Sequence, residues 1–220
     1  MRRRNEHTKG MGFVRGALCA VLGAMLFVGS ATGRAWADVA LPAPDTDGGP
    51  GVLTAIRTRA SATHAGFSDR TISDRDLATL LWAATGRNRQ GGGWTIPLAM
   101  GKPPYVDVYV LAKNGSFLYD WEKNALKQTG TENISGKAGR QSFVASASHI
   151  LVFVKDENGQ YSRDFGDVAV GAMTQNVYLA ATGLGIKGRY VVGMDVDVLK
   201  TSLKLEKHKK PVCIMPIGYQ

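Results

Sequence analysis

The succession of segments in this chain predicts an α+β fold. Three observations carry that expectation. Apolar residues alternate or run together at 105–111, 117–121 and 149–154, as in strands. Leu77, Leu80, Leu81 and Ala84 recur at helical spacing, and 168–186 reads as a buried helix of small residues closed by glycines. These segments do not alternate strand–helix–strand, as a doubly wound parallel sheet requires.

The first 37 residues belong outside that fold. Arg2, Arg3, Arg4, Lys9 and Arg15 form a positive start, and 16–31 is an apolar stretch short for a bilayer span. Ala35-Trp36-Ala37 is a small-x-small cleavage site before Asp38. This is the pattern of a bacterial Sec-type signal peptide, so residues 38–220 are expected in the periplasm or secreted, without a membrane span. A retained N-terminal anchor is the alternative.

Residues 38–50, rich in Pro, Gly and Asp, predict an extended arm, and 51–220 a single domain. A short helix is expected at about 51–61. Ser73 followed by Asp76 forms a capping entrance, and Gly86 marks the stop of the helix between them. Residues 87–93 read as a basic, glycine-rich loop. Strand 105–111 leads through Lys113-Asn-Gly-Ser116, a hairpin turn, into strand 117–121. Further strands are expected at 149–154, 190–192 and 212–215, with a helix at 196–203.

Composition excludes several functions. The first 37 residues hold Arg2, Arg3, Arg4, Lys9, Arg15 and Arg34 against one acid, Glu6, so the overall charge of +9 falls to about +4 for the remainder. No basic face of the kind that grips nucleic acid is left. One cysteine, Cys213, lies in 38–220, which rules out an internal disulfide there and leaves an inert apolar residue as its expected role. His64, His149 and His208 have neither a nucleophile motif nor metal-ligand spacing.

Gly183-Leu-Gly-Ile-Lys-Gly188 fits the dinucleotide fingerprint literally, but it closes a helix and precedes a strand. The fingerprint must do the reverse to bring a pyrophosphate to a helix N-terminus. Within the long helix, Gln175-Asn176 places two amides among small residues. They serve either to satisfy buried polar groups or to meet a ligand.

Taken together, Arg59-Ala-Ser61, Leu80-Leu-Trp-Ala-Ala-Thr-Gly-Arg-Asn-Arg89, Thr95-Ile-Pro-Leu-Ala-Met-Gly101, the 168–186 helix and Ile214-Met-Pro-Ile-Gly-Tyr219 resemble the FMN-dependent nitroreductase family. The likeness is to its SagB-type dehydrogenase branch in particular. It implies a nitroreductase-like fold with a mixed central sheet flanked by helices, and a homodimer with FMN at the subunit interface. It also implies electron transfer to a small aromatic, quinone or nitro acceptor, with NAD(P)H as donor where that can reach.

The residues implied at the flavin are Arg59, Ala60, Ser61 and Thr63 for the phosphate, and Pro97, Leu98, Ala99 and Gly101 for the ring. Gln175, Asn176, Gly183, Leu184 and Gly185 follow from the core helix and its turn. No catalytic side chain is implied, because flavin carries the electrons. The chain departs from the family where Thr63 stands at a basic position; His64 either replaces that charge or is simply solvated. Leu98, Gly101 and Pro103 stand where a Ser, Asn and Gln are usual, leaving backbone groups of Met100 and Gly101 to substitute. The alternative reading is a protein of this fold that has lost FMN and serves as a non-catalytic binding or structural protein.

Overall fold

A computed structural model of the chain describes residues 38–220, so the expected signal peptide lies outside the described residues. The sheet is built around β7 (His149–Asp156), whose run Ile150 to Val154 is fully buried because both faces are covered. Leu151 and Phe153 point into one apolar layer, and Ile150, Val152 and Val154 into the other. β4 (Val106–Ala112) pairs with it and turns through Lys113-Asn114 into β5 (Gly115–Asp120), as the hairpin signal requires. β6 (Ala125–Gly130) and β1 (Val39–Ala40) extend that side, and β9 (Lys209–Gly218) and β8 (Lys187–Gly188) the other. The order is β1-β6-β5-β4-β7-β9-β8. These neighbours pair antiparallel, and a parallel bridge between Ser61 and Gly188 at the β8 edge makes the sheet mixed.

One face carries the helices. α2 (Asp74–Thr85) starts where Ser73 Oγ accepts the Asp76 N–H at 3.1 Å, and ends at Gly86. A side chain at Gly86 would run into Trp82, so glycine is needed for a close approach rather than for its dihedrals. α3 (Gln160–Gly183) lies beside α2, with Ala169, Val170, Met173, Val177 and Ala181 facing the sheet. It closes in a Schellman turn: Ile186 N–H reaches the Ala181 carbonyl at 2.8 Å, and Gly185 takes φ +68°. α1 (Val52–Thr58) buries Ala55 near the end of α3. The opposite face is covered by single-turn segments at 135–137 and 142–146 and by α4 (Val196–Ser202), through Phe143, Val144, Leu199 and Leu203.

Several expectations need correction. Residues 190–192 are not a strand; only Val191 bridges to Ile214. The 87–93 loop is tied by the short strands β2 (Arg87–Arg89) and β3 (Gly93–Trp94). α3 begins eight residues before Val168, because Ser162 and Gly166 are small enough to be buried where the sequence looks polar. α1 stops at Thr58, and β9 is longer than the apolar run 212–215. The arm is extended as expected, and it is anchored. Asn124 holds the Leu41 and Pro42 carbonyls, Asp45 N–H reaches Thr79 Oγ1 at 2.8 Å, and Pro50 lies against Gly183.

Candidate active site

Tyr178, a residue the sequence does not single out, organises the first half of the site. It lies on the flank of α3 that faces β8. Its hydroxyl accepts the Tyr190 N–H at 2.7 Å and lies 3.1 Å from Ser61 Oγ. The Arg59 guanidinium sits 5.1 Å from the centre of the same ring. Arg59 and Ser61 are therefore brought together by one aromatic side chain, with exposed Ala60 between them. The Ala62 N–H bonds the Gly188 carbonyl, and Arg189 Nη1 bonds the Ala62 carbonyl at 2.8 Å. A second cation thus stands beside the Arg59–Ser61 loop. His64 instead lies exposed with its ring on Phe143.

Thr63 is engaged by the last residue of the chain. Gln220 accepts the Thr63 N–H at 3.0 Å and donates to the Thr63 hydroxyl and the Gly66 carbonyl. That N–H, otherwise free for an anion, is occupied.

The other half lies elsewhere. Asn176 and Tyr178 are two residues apart, hence on opposite flanks of α3, about 200° around the axis. Asn176 Nδ2 donates to the Ala83 carbonyl at 3.2 Å and to the Thr95 carbonyl at 2.8 Å, tying α3 to the end of α2 and to the start of the 95–105 loop. Pro97 and Gly101 in that loop are exposed, Ala99 is half-buried and Leu98 packs on the core. Met100 takes φ +55° and is 83 % exposed. The Gly101 N–H is turned inward to the Leu98 carbonyl, so it is not available to a ring edge. Gln175 points outward from α3 between these flanks. Gly183, Leu184 and Gly185 form the helix-closing turn under the arm, beyond the Tyr178 cluster.

The sequence-predicted residues thus form two clusters. Arg59, Ala60, Ser61 and Thr63 join one; Pro97, Leu98, Ala99, Gly101 and Asn176 join the other. Tyr178, Tyr190 and Gln220 were missed; a lone phenol within a run of Ala and Val is the signal that marks Tyr178. Cys213 is buried, and burial pushes its thiol up to about 12, in keeping with an inert role. Replacing Asn176 with Ala will strand two backbone carbonyls and lower unfolding free energy by about 2 kcal/mol. Urea denaturation measures it; an unchanged midpoint would show that the amide does not hold these elements.

The donor set fits part of a flavin nucleotide. Two guanidiniums and a hydroxyl suit the phosphate, whereas the 97–101 loop offers the ring no polar side chain.

Residues 56–219 match the model of the nitroreductase family. A Methanocaldococcus jannaschii protein described as a nitroreductase is 30% identical over 161 residues, covering 66% of this chain and 79% of its own. The crystal structure of a nitroreductase from Ralstonia eutropha JMP134 superposes with a TM-score of 0.75 at 28% identity, covering 86% of this chain and 92% of that chain. A chain of the E. coli microcin synthetase complex shares the fold, with a TM-score of 0.62 at 19% identity over 70% of this chain and 67% of its own. The chain belongs to the nitroreductase family, a membership that points to oxidoreductase function.

Proposed function

We propose that the protein is an FMN-dependent oxidoreductase that passes electrons to a small aromatic, quinone or nitro acceptor. We place it in the SagB-type branch, on the strength of the Leu80–Arg89 and Ile214–Tyr219 strings. The observation that carries the reading is the Tyr178 cluster, which holds Arg59 and Ser61 together and is flanked by Arg189. Arg59 and Ser61 would hold the phosphate, and the 97–101 loop would approach the ring. Bound FMN supplies the electron transfer, so the chain need only position it.

The working form is a homodimer. The two clusters lie on opposite flanks of α3, and the surface between them carries Phe165, Val168, Ala172, Gln175 and Leu179 at alternating three- and four-residue spacing. Phe165 is 46 % exposed and Val168 74 % exposed. Such a stripe has the spacing of a helix–helix seam. Pairing two copies in parallel along it, about a two-fold axis running with the helices, would set one copy's 97–101 loop on the side of the other's Arg59 and Ser61. Residues 1–37 direct export to the periplasm or beyond; the physiological donor must then be one available there.

FMN titration, followed by quenching of flavin fluorescence, tests the reading. We expect one flavin per subunit. Arg59→Ala should weaken binding about tenfold or more, because a charge-assisted hydrogen bond contributes about 1.5–3 kcal/mol. A folded protein that neither quenches FMN nor melts higher in its presence would instead be a nitroreductase-fold binding protein. The occupied Thr63 N–H and the apolar 97–101 loop favour that second reading.

A further inference from the structure

Trp82, Trp94 and Trp121, three of the chain's four tryptophans, meet where α2 ends, away from the Tyr178 cluster. Trp82 and Trp121 border a cavity of about 340 Å³, walled also by Tyr119 and Pro44, with Arg87 and Glu122 as its charged residues. That volume suits a small organic molecule.

The walls are fixed by their own polar ends. Trp82 Nε1–H donates to the Arg87 carbonyl at 2.8 Å, and the Tyr119 hydroxyl donates to Asn124 Oδ1 at 3.1 Å. Asn124 in turn holds the arm through the Leu41 and Pro42 carbonyls, which keeps nearby Pro44 in place. Trp94 and Trp121 meet edge to face, with ring centres 5.0 Å apart.

Arg87 is exposed, and no ion pair of the described residues uses its guanidinium. That group lies 5.3 Å from the centre of Trp94 and 5.4 Å from that of Trp121. A guanidinium stacked on aromatic rings is held in one orientation while its N–H edge stays open to a planar anion. In the same cluster the Trp94 indole N–H is buried without an acceptor, a second donor left over. Packing accounts for the tryptophans; it does not account for a guanidinium on the cavity's lining that is held against two indoles and has no carboxylate partner.

We propose that this cavity binds a small aromatic monocarboxylate, with its ring against the indole walls and its carboxylate on Arg87. Glu122 would repel a second carboxylate, so a monoanion is preferred to a dianion. The cavity adjoins the end of α2 to which Asn176 ties the 95–105 loop, but none of its lining residues is among those assigned to the flavin, and the proposal does not depend on flavin binding.

The test titrates 4-fluorobenzoate into the protein and follows the tryptophan indole N–H resonances, with and without saturating FMN. We expect saturable shifts of Trp82 and Trp121 that persist with FMN present. Neutral 4-fluorobenzamide and the Arg87→Gln variant should each weaken binding about tenfold, as loss of a charge-assisted bond requires. The variant's unchanged melting temperature would show that the loss is local. Absent or unsaturable shifts, equal binding of acid and amide, or unaltered binding to Arg87→Gln would each overturn the proposal. Competition by FMN would also overturn it, by placing the ligand in the flavin groove.

Discussion

Replacing Val168 with glutamate will leave the protein monomeric and, as a consequence, without flavin. Val168, 74 % exposed against 46 % for Phe165, lies on the exposed stripe of α3, where a two-fold pairing sets each residue against its own surroundings in the partner. Two carboxylates driven into that seam would be desolvated without a partner, a cost of several kcal/mol. The monomer should keep its fold, because Val168 makes no contribution to either apolar layer. Sedimentation, circular dichroism and FMN titration separate the outcomes. A variant that remains dimeric rules out the α3 seam. A monomer that binds FMN as tightly as the parent rules out a site shared between copies.

Acidification from pH 7 to pH 4 will cost about 3 kcal/mol of unfolding free energy through one residue, His149. Its ring is 9 % exposed and lies at the start of β7, next to Ser148. Burial pushes its pKa down to about 4, and nearby Asp74 offsets only part of that. Ser148 Oγ accepts the Ile72 N–H at 2.9 Å, so its hydroxyl proton is free to donate to His149 Nδ1 at 3.0 Å, a bond suited to the neutral ring. The unfolded chain takes up this proton near pH 6.5, the folded one only near pH 4. Stability is therefore full above 6.5, falls between 6.5 and 4, and levels off below. About 2 kcal/mol should be gone by pH 5. Hydrogen bonds from lysine and backbone lower the pKa of Asp120 and, against the opposing effect of burial, of Asp156; their contributions are lost only as pH falls from the ordinary carboxylate value downward, which leaves pH 7 to 5 to His149. Denaturant melts of the parent and His149→Gln at pH 7 and 5 provide the check. An equal loss in both proteins would acquit His149.

The elements legible in the sequence are those whose residues state their own local requirements. Ser73, Asp76 and Gly86 mark the bounds of α2, Asn114-Gly115 the hairpin, and the run Ile150–Val154 a strand covered on both faces. The elements missed depend on neighbours. β6 is mostly polar and exists through its pairing with β5 and β1, and β2 and β3 are two to three residues each. Residues 190–192 look like a strand by composition. Yet they make only a bridge at Val191, because the Tyr190 N–H is taken by the Tyr178 hydroxyl rather than by a neighbouring strand.

The candidate site divides the same way. Family strings along the chain identify Arg59, Ser61 and the 97–101 loop as residues of interest, since such strings persist locally wherever the chain goes. Their arrangement is another matter. That Asn176 ties α3 to α2 while Tyr178, two positions on, gathers Arg59 and Ser61 follows from the helical turn and from what packs on each flank. Adjacent residues on a helix face different neighbours, and those neighbours are supplied by segments tens of residues away. The sequence by itself indicated the family and the α+β class, and it singled out Arg59 and Ser61. Only the tertiary structure decided that they stand on the opposite side of α3 from the 97–101 loop, because that separation is a property of packing rather than of order along the chain.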